Sequence, residues 1–364
     1  MTADLSADGA PTGDFLDDVR MYLSGHRLRG KPTGLVAVSA SRTLLETHLR
    51  SRVTSLANVR VLAPCDVVGP LADGTAVAGV RLRGRLDGAE ETLTADVVVD
   101  ATGRGSRAGA WLEEAGMEAV AEDRMPIDVA YATRRYRLGR ASLGNDLAVL
   151  HGLTPQHPRG GVLAVIEGDQ AMLTLAGVLG DRPPTDPDGF SAFARSLAFP
   201  DIADAIAGAE PFDEPVAHRF PASVWRHYER LQWLPRGFAV VGDAVCSLNP
   251  IYGQGMSVAA LEAVALRRHL QRHRALHPQR FQREVARVVA PVWQMAVGGD
   301  VMFAGFDGQR TTGQRFLGAY IRRLHAAAAR DAGLARRFAR VSGLVDSPSR
   351  LLRPTVAVRV LLAR

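Results

Sequence analysis

Gly242-Asp-Ala-Val-Cys-Ser-Leu-Asn-Pro-Ile-Tyr-Gly-Gln-Gly-Met-Ser-Val-Ala-Ala-Leu-Glu-Ala263 decides how the rest of this chain is read. The four residues ahead of it, Phe238 to Val241, form a short apolar run of the kind that makes an interior strand. The strand is expected to end at Gly242, leaving Asp243 as a carboxylate where a ligand hydroxyl can be held. A Pro/Gly loop follows, containing Pro250, Gly253, Gln254 and Gly255, and a small-residue helix opens near Met256. Glycine at 253 and 255 lets backbone come close to a ligand, and a helix start points unpaired N–H groups at it.

The bulk properties narrow the field. With 364 residues, 47% of them hydrophobic, the chain can bury a large core and is expected to form two joined domains. No run approaches the ~20 apolar residues of a membrane span, and the first twenty residues are polar and acidic, unlike a secretory signal. A cytoplasmic protein is expected. Cys65 and Cys246 sit in unrelated contexts, which suggests neither a disulfide framework nor a zinc site. The net charge of +6 is unevenly spread: from Val264 onward 19 Arg face 5 acidic residues, a net +14, which leaves −8 for the residues before. Lys31 is the only lysine. No aromatic interleaving or binding module accompanies this charge, so nucleic-acid binding is not expected. The end of the chain, residues 349–364, is basic and amphipathic; packing on the protein's own helices is the first expectation, and peripheral membrane contact the alternative.

Along the chain, residues 1–30 carry little pattern. Leu35 to Val38 reads as a strand, and Ser39 opens a helix with Leu44, Leu45, His48 and Leu49 on one face. Strands are expected at Val59 to Leu62, Asp66 to Val68, and Ala95 to Ala101. A hairpin turns between Thr75 and Thr94 at Leu86-Asp-Gly. A helix is expected from Ala108. From Met125 to Pro235 period-two segments dominate (Ile127 to Tyr136, Leu147 to Leu153, Gly161 to Glu167, Ala171 to Val178), interrupted by a helix near Phe190 to Leu197. This is the pattern of an inserted, largely antiparallel sheet. Everything after the Gly-Asp segment reads as helix. His269, His273 and His277 recur every four residues but lack an accompanying acid in a zinc-helix pattern, so they are read as a solvated basic face and not as metal ligands.

Two strands that each end in a small-residue turn with one carboxylate, Asp100-Ala-Thr-Gly-Arg-Gly and Gly242-Asp243, flank that sheet. With the Ser41-Arg42 helix start, this layout resembles the FAD-dependent monooxygenases of the aromatic-hydroxylase fold, particularly the polyketide epoxidases and hydroxylases of secondary metabolism. The resemblance implies an α/β (α+β) architecture: an incomplete Rossmann-like FAD-binding domain (1–123, returning at 236–300), a β-sheet substrate domain (124–235) and a helical C-terminus (301–364). It implies that Asp243 binds the ribityl chain and that Pro250, Gly253, Gln254, Gly255 and Met256 lie along the pyrimidine edge of the flavin. Gly103 and Gly242 would shape the two turns, Arg42 would reach the ribityl or pyrophosphate region, and Asp66 and Val67 would flank the adenine. The family's opening Gly-x-Gly-x-x-Gly segment, which seats the pyrophosphate, is not in this sequence. A start placed too late, a fragment, or a member with weakened FAD affinity are the three expectations that follow.

The activity implied is insertion of one oxygen atom from O₂, by epoxidation or hydroxylation, into a small apolar secondary metabolite. NAD(P)H would reduce FAD and a C4a-hydroperoxyflavin would deliver the oxygen, so no side-chain nucleophile is required and no catalytic residue is singled out. A prenyl-lipid reductase or cyclase, sharing the Asp-Ala-Thr-Gly turn, is the alternative enzyme. A flavin halogenase would carry Trp-x-Trp-x-Ile-Pro, which is missing. A scaffold that binds no flavin is the reading from another class.

Overall fold

The computed structural model describes residues 1–73, 75–303, 305 and 310–363. The chain divides into two compact units, each assembled from separated stretches. One comprises residues 1–59, 127–221 and 298–364, the other residues 60–126 and 222–297.

The first unit is built on the sheet that the period-two segments announced. Its strands run in the order Glu210–Pro211, Val129–Arg137, Gln170–Gly177, Arg159–Ile166, Ala148–His151, Val19–Leu23 and His26–Arg27, with Val216–Phe220 also paired to Val129–Arg137. All pairings are antiparallel except that of Ala148–His151 with Val19–Leu23. Alternation along Val129–Arg137 buries Ala130, Ala132, Arg134 and Tyr136 in turn. Ala132, Tyr136, Leu163, Val165, Leu173 and Leu175 form one core with Phe190, Phe193 and Ala194 from the helix Pro187–Arg195 and Ile202 from Asp201–Ile206. The first of these helices starts where a capping aspartate and a proline require it: Asp186 accepts the Gly189 N–H at 2.7 Å, and Pro187 occupies the first turn. Phe190, Phe193 and Ala194, spaced i, i+3, i+4, are its buried face.

Residues 1–59 group with this sheet. The reason is polar. Arg20 on the strand Val19–Leu23 reaches Asp146 and Asp201, both at 2.6 Å, and Tyr22 Oη donates to Asp201 at 3.1 Å. Asp14 accepts the N–H groups of Leu16, Asp17, Thr33 and Gly34 and the Thr33 hydroxyl; burial raises its pKa, but these donors outweigh that and hold it at about 2. A polar segment thereby becomes ordered with few apolar side chains. The helix Arg42–Thr54 is capped by Ser41, two residues after the expected opening at Ser39; its expected apolar face buries nothing, and it is tied instead by His48 to Asp8 and Arg52 to Asp4. Val59 to Leu62 forms no strand; Val61 and Leu62 are exposed and pair with nothing regular.

The helices Thr312–Ala328, Ala332–Ser342 and Pro354–Leu362 belong to the same unit. Thr311 and Gln314 form a reciprocal capping box, and Asp331 caps the second helix while holding Arg359 through two oxygens. The chain end packs inward through Val356 and Val360, with Leu352, Val358, Leu361 and Leu362 exposed. No described helix is long and apolar enough to cross a membrane.

In the second unit Cys65–Asp73, Ala76–Gly84 and Glu90–Thr94 make an antiparallel meander, turning at Asp87-Gly88 where Gly88 has φ +69°. Val98–Asp100 and Phe238–Val240 form a parallel pair, and Glu122–Met125, Ser223–Arg226 and Cys246–Ser247 a three-stranded sheet. The helices Gly255–His273 and Pro278–Asp300 follow. Gln282 on the second donates to the carbonyl of Val240 at 2.9 Å from a fully enclosed position, fixing that helix against the parallel strands.

Phe190 is fully buried in the sheet core. Phe190→Ala should destabilise the protein by about 3–5 kcal/mol, read from the denaturation midpoint at an unchanged slope.

Candidate functional site

The site is defined by the parallel pairing of two short strands. Val98, Val99 and Asp100 lie in register with Phe238, Ala239 and Val240, and the Val241 N–H donates to the Asp100 carbonyl at 2.9 Å. Both strands therefore end at the same level, and both turns open at the carboxyl end of the sheet, where ligands bind in open α/β sheets.

The first turn is organised by its own carboxylate. Asp100 Oδ1 accepts from the Thr102 N–H (2.8 Å) and hydroxyl (2.6 Å), and Oδ2 accepts from the Ser106 hydroxyl (2.6 Å). Asp100 is thus a structural acceptor. Gly103 follows with φ +76°, a conformation that strains any other residue. A Cβ added at Gly103 or Gly105 would meet no atom within 4 Å, so this turn presents bare backbone to open space.

The second turn begins at Gly242, with φ +67°, and its N–H donates to Glu262 Oε2 at 2.5 Å. Asn249 Oδ1 accepts the Ile251 N–H and starts the short turn Pro250–Tyr252, which ends at Gly253 with φ +66°. The helix Gly255–His273 begins directly after, and Gln254 at its N-cap makes no capping hydrogen bond through its side chain. Asp243 sits beside this start: a Cβ on Gly255 would lie 3.9 Å from Asp243 Oδ1. Gly242, Asp243, Pro250, Gly253, Gln254, Gly255 and Met256 are therefore one local structure. Gln254 is buried, Pro250 and Met256 are exposed.

The other sequence-selected residues are placed differently. Asp66 and Val67 lie on the first strand of the meander, where Asp66 is paired with Arg85 at 2.5 Å and Val67 is exposed. Arg42 belongs to the first unit, in the opening turn of an exposed helix, and pairs with Glu46 at 2.6 Å.

Two residues near the turns carry no motif signal. Arg226 donates to the carbonyl of Arg104 in the first turn (3.4 Å) and to that of Ala244 in the second (3.2 Å), while its Nε holds Glu122 at 2.9 Å. It clips the two turns together. Glu262, fully buried on the helix, is pushed up to about 7 by burial and by the neighbouring Asp243, against the lowering effect of the Gly242 N–H. Cys246 is buried close to both carboxyls, and burial first, then those charges, raises its thiol well above the ordinary value.

His269 departs from the solvated face expected of the histidine row, on which His277 is exposed and His273 half-buried. His269 is fully buried, its Nε2 accepts the His277 N–H at 3.1 Å, and its Nδ1 lies 3.1 Å from Glu284 on the next helix. The acceptor role of Nε2 places the hydrogen on Nδ1, directed at Glu284. The ligand atoms of His269, His273 and Glu284 lie within 4.8 Å of one another. Arg272 and Arg280 approach Glu284 at 3.8 and 4.0 Å, and both His269 nitrogens are in use, so the cluster works as a hydrogen-bonded junction between two helices.

No protein-family model matches this chain. It is 36% identical over 295 residues to Protein Rv3254 of Mycobacterium tuberculosis, an overlap covering 77% of this chain and 60% of that protein. The chain thus spans well under two thirds of the relative it matches. Among solved structures, a flavoprotein/dehydrogenase from Cytophaga hutchinsonii aligns at a TM-score of 0.66 and 14% identity, covering 100% of this chain and 84% of the other. PqsL from Pseudomonas aeruginosa, described as a probable FAD-dependent monooxygenase, aligns at 0.61 and 20% identity, covering 86% and 84%. The fold is that of the FAD-dependent monooxygenases. Within that fold the paired strand ends and the Gly242–Met256 loop form one local structure at the carboxyl ends of the parallel strands, and the sheet unit is the mostly antiparallel part anticipated from period-two patterning.

The thiols give a direct check on the burial at this site. A thiol reagent at pH 8 should modify Cys65, which is partly exposed, and leave Cys246 unmodified until the protein is denatured, when a second equivalent should react.

Proposed function

We propose that this chain is the flavin-binding and substrate-binding part of an FAD-dependent monooxygenase that inserts one oxygen atom of O₂ into a small apolar substrate at the expense of NAD(P)H. The supporting observation is the in-register pair of strand ends, with one carboxylate turned inward to build its own turn and the other, Asp243, set beside the start of a long helix. The residues fit a flavin. Asp243 supplies an acceptor for a ribityl hydroxyl. Gly253 and Gly255 form a cradle, since a Cβ at Gly253 would meet nothing and one at Gly255 only Asp243. The first N–H groups of the helix Gly255–His273 favour negative charge on the flavin's pyrimidine edge.

Bound FAD would supply the redox chemistry: hydride acceptance from NAD(P)H and activation of O₂. The protein's own tasks are to hold, orient and keep dry. Arg226 and the Gly242–Glu262 hydrogen bond fix the two turns, so Asp243 needs little reorganisation when a ligand arrives. Excluding water and accepting an apolar substrate are the further tasks that such chemistry sets the protein. An alkene-bearing substrate, and so epoxidation, is our first choice, on the strength of the Asn249-Pro-Ile-Tyr-Gly-Gln-Gly-Met256 sequence.

Protein incubated with FAD and desalted should show absorbance bands near roughly 370 and 450 nm, as oxidised flavin does when held by protein. Asp243→Ala, which removes the acceptor, should weaken FAD binding by about 10- to 100-fold. Gly255→Ala should weaken it by placing a methyl in the cradle, with little change in the stability of the flavin-free protein because that Cβ would meet only Asp243 Oδ1, at 3.9 Å. Absence of the bands at saturating FAD would refute the assignment. If flavin binds, substrate-stimulated NAD(P)H oxidation with ¹⁸O from O₂ in the product separates oxygen insertion from reduction of the substrate.

A further inference from the structure

Glu262 is the one buried carboxyl at the Gly242–Asp243 turn that no motif assigns. It lies two turns into the helix Gly255–His273, on the face where Ala259 approaches Gly242: a Cβ on Gly242 would meet the Ala259 Cβ at 3.9 Å. That small-residue contact lets the Glu262 carboxyl reach the turn's backbone. Its Oε2 accepts the Gly242 N–H, while Oε1 is buried and has no hydrogen-bond partner. No cation pairs with it among the described residues, and the titratable groups facing it are another acid, Asp243, and the Cys246 thiol. An ionised carboxylate held by one neutral donor, out of water and beside a second carboxylate, is poorly compensated. A protonated carboxyl keeps an oxygen that accepts the Gly242 N–H, in a weaker hydrogen bond, and removes the repulsion.

We propose that Glu262 is a proton-carrying positioning residue, which latches the Gly242–Asp243 turn through Oε2 and carries a proton on Oε1 whenever the turn is set to hold flavin. Its behaviour in the flavin-free protein, with a pKa raised to about 7, is consistent with that state. The flavin part of the inference rests on the function proposed above. When Asp243 accepts a ribityl hydroxyl it stays ionised, and a ligand seated over the turn excludes water from it. A second negative charge at Glu262 then becomes more unfavourable, so FAD binding takes up a proton there as pH rises above neutrality. By reciprocity FAD affinity falls with rising pH, by at most about tenfold per pH unit for one linked proton.

The sign for the flavin-free protein follows from the same group. Its folded pKa lies above the ordinary carboxyl value, so its contribution to stability is fully present below about 4.5 and is lost as pH rises through about 7. Glu262→Gln keeps the acceptor for Gly242 N–H, places an NH₂ where the carboxyl OH would be, and cannot ionise. Glu262→Ala leaves the Gly242 N–H without its partner. The thermal midpoint of the flavin-free full chain, wild type minus Glu262→Gln, should be highest at about pH 4.5 and fall steadily until about pH 8. Parallel midpoints across that range would overturn the proton assignment. FAD dissociation constants, measured by fluorescence quenching from pH 6 to 9, should rise with pH for wild type and stay flat for Glu262→Gln, while Glu262→Ala should bind weakly throughout. Equal slopes in wild type and Glu262→Gln would overturn the linkage. Failure of every form to bind FAD would instead overturn the proposed function together with the flavin linkage, leaving the thermal comparison to decide the proton on its own.

Discussion

Everything at the candidate site depends on one parallel pairing between strands far apart in sequence. Val98–Asp100 and Phe238–Val240 are each only three residues long, too short to be stable alone. They persist because Phe238, Ala239 and Val240 are buried, because Gln282 satisfies the Val240 carbonyl from the following helix, and because the Val241 N–H continues the ladder onto Asp100. A one-residue slip would separate the two turns and reverse the faces of these strands. Register here fixes where the carboxylates stand.

Given that register, the two aspartates take different roles through their neighbours. Asp100 is surrounded by hydroxyls and an N–H from its own turn, which use both of its oxygens. Asp243 follows a positive-φ glycine whose N–H is already taken by Glu262, and its side chain is set beside the helix start. The same residue type at equivalent strand ends becomes the brace of its own turn in one case and a carboxylate set beside a helix start in the other. Arg226 joins both turns through carbonyls, so it stiffens the site without contributing a charge toward the ligand position.

Much of this was legible in the sequence. The period-two segments from Ile127 to Val178 became the strands of one sheet, the Gly-Asp block became strand, turn and helix, and the C-terminal helices begin at the caps their sequences supply. Such features are local: alternation, capping and glycine conformation act within a few residues. What was not legible depends on contacts between distant residues. The strand Val19–Leu23 carries two polar anchors, Arg20 and Tyr22, whose partners Asp146 and Asp201 are more than a hundred residues away, so its place in the sheet left no periodic trace. His269 appeared exposed because its partner Glu284 comes from another helix, and Glu262 stood as a lone acid in a small-residue helix. Buried polar groups are recognised by the donors they meet, and those donors are set by tertiary structure.

The interleaving of the two units has a consequence for how the molecule comes into being. The sheet unit needs residues 1–59, 127–221 and 298–364, and the other unit needs residues 60–126 as well as 222–297. During synthesis the strand Val98–Asp100 emerges long before its partner Phe238–Val240 exists, and the sheet unit waits for the last helix of the chain. Neither half can be excised as a continuous fragment, and loop closure over such separations slows assembly.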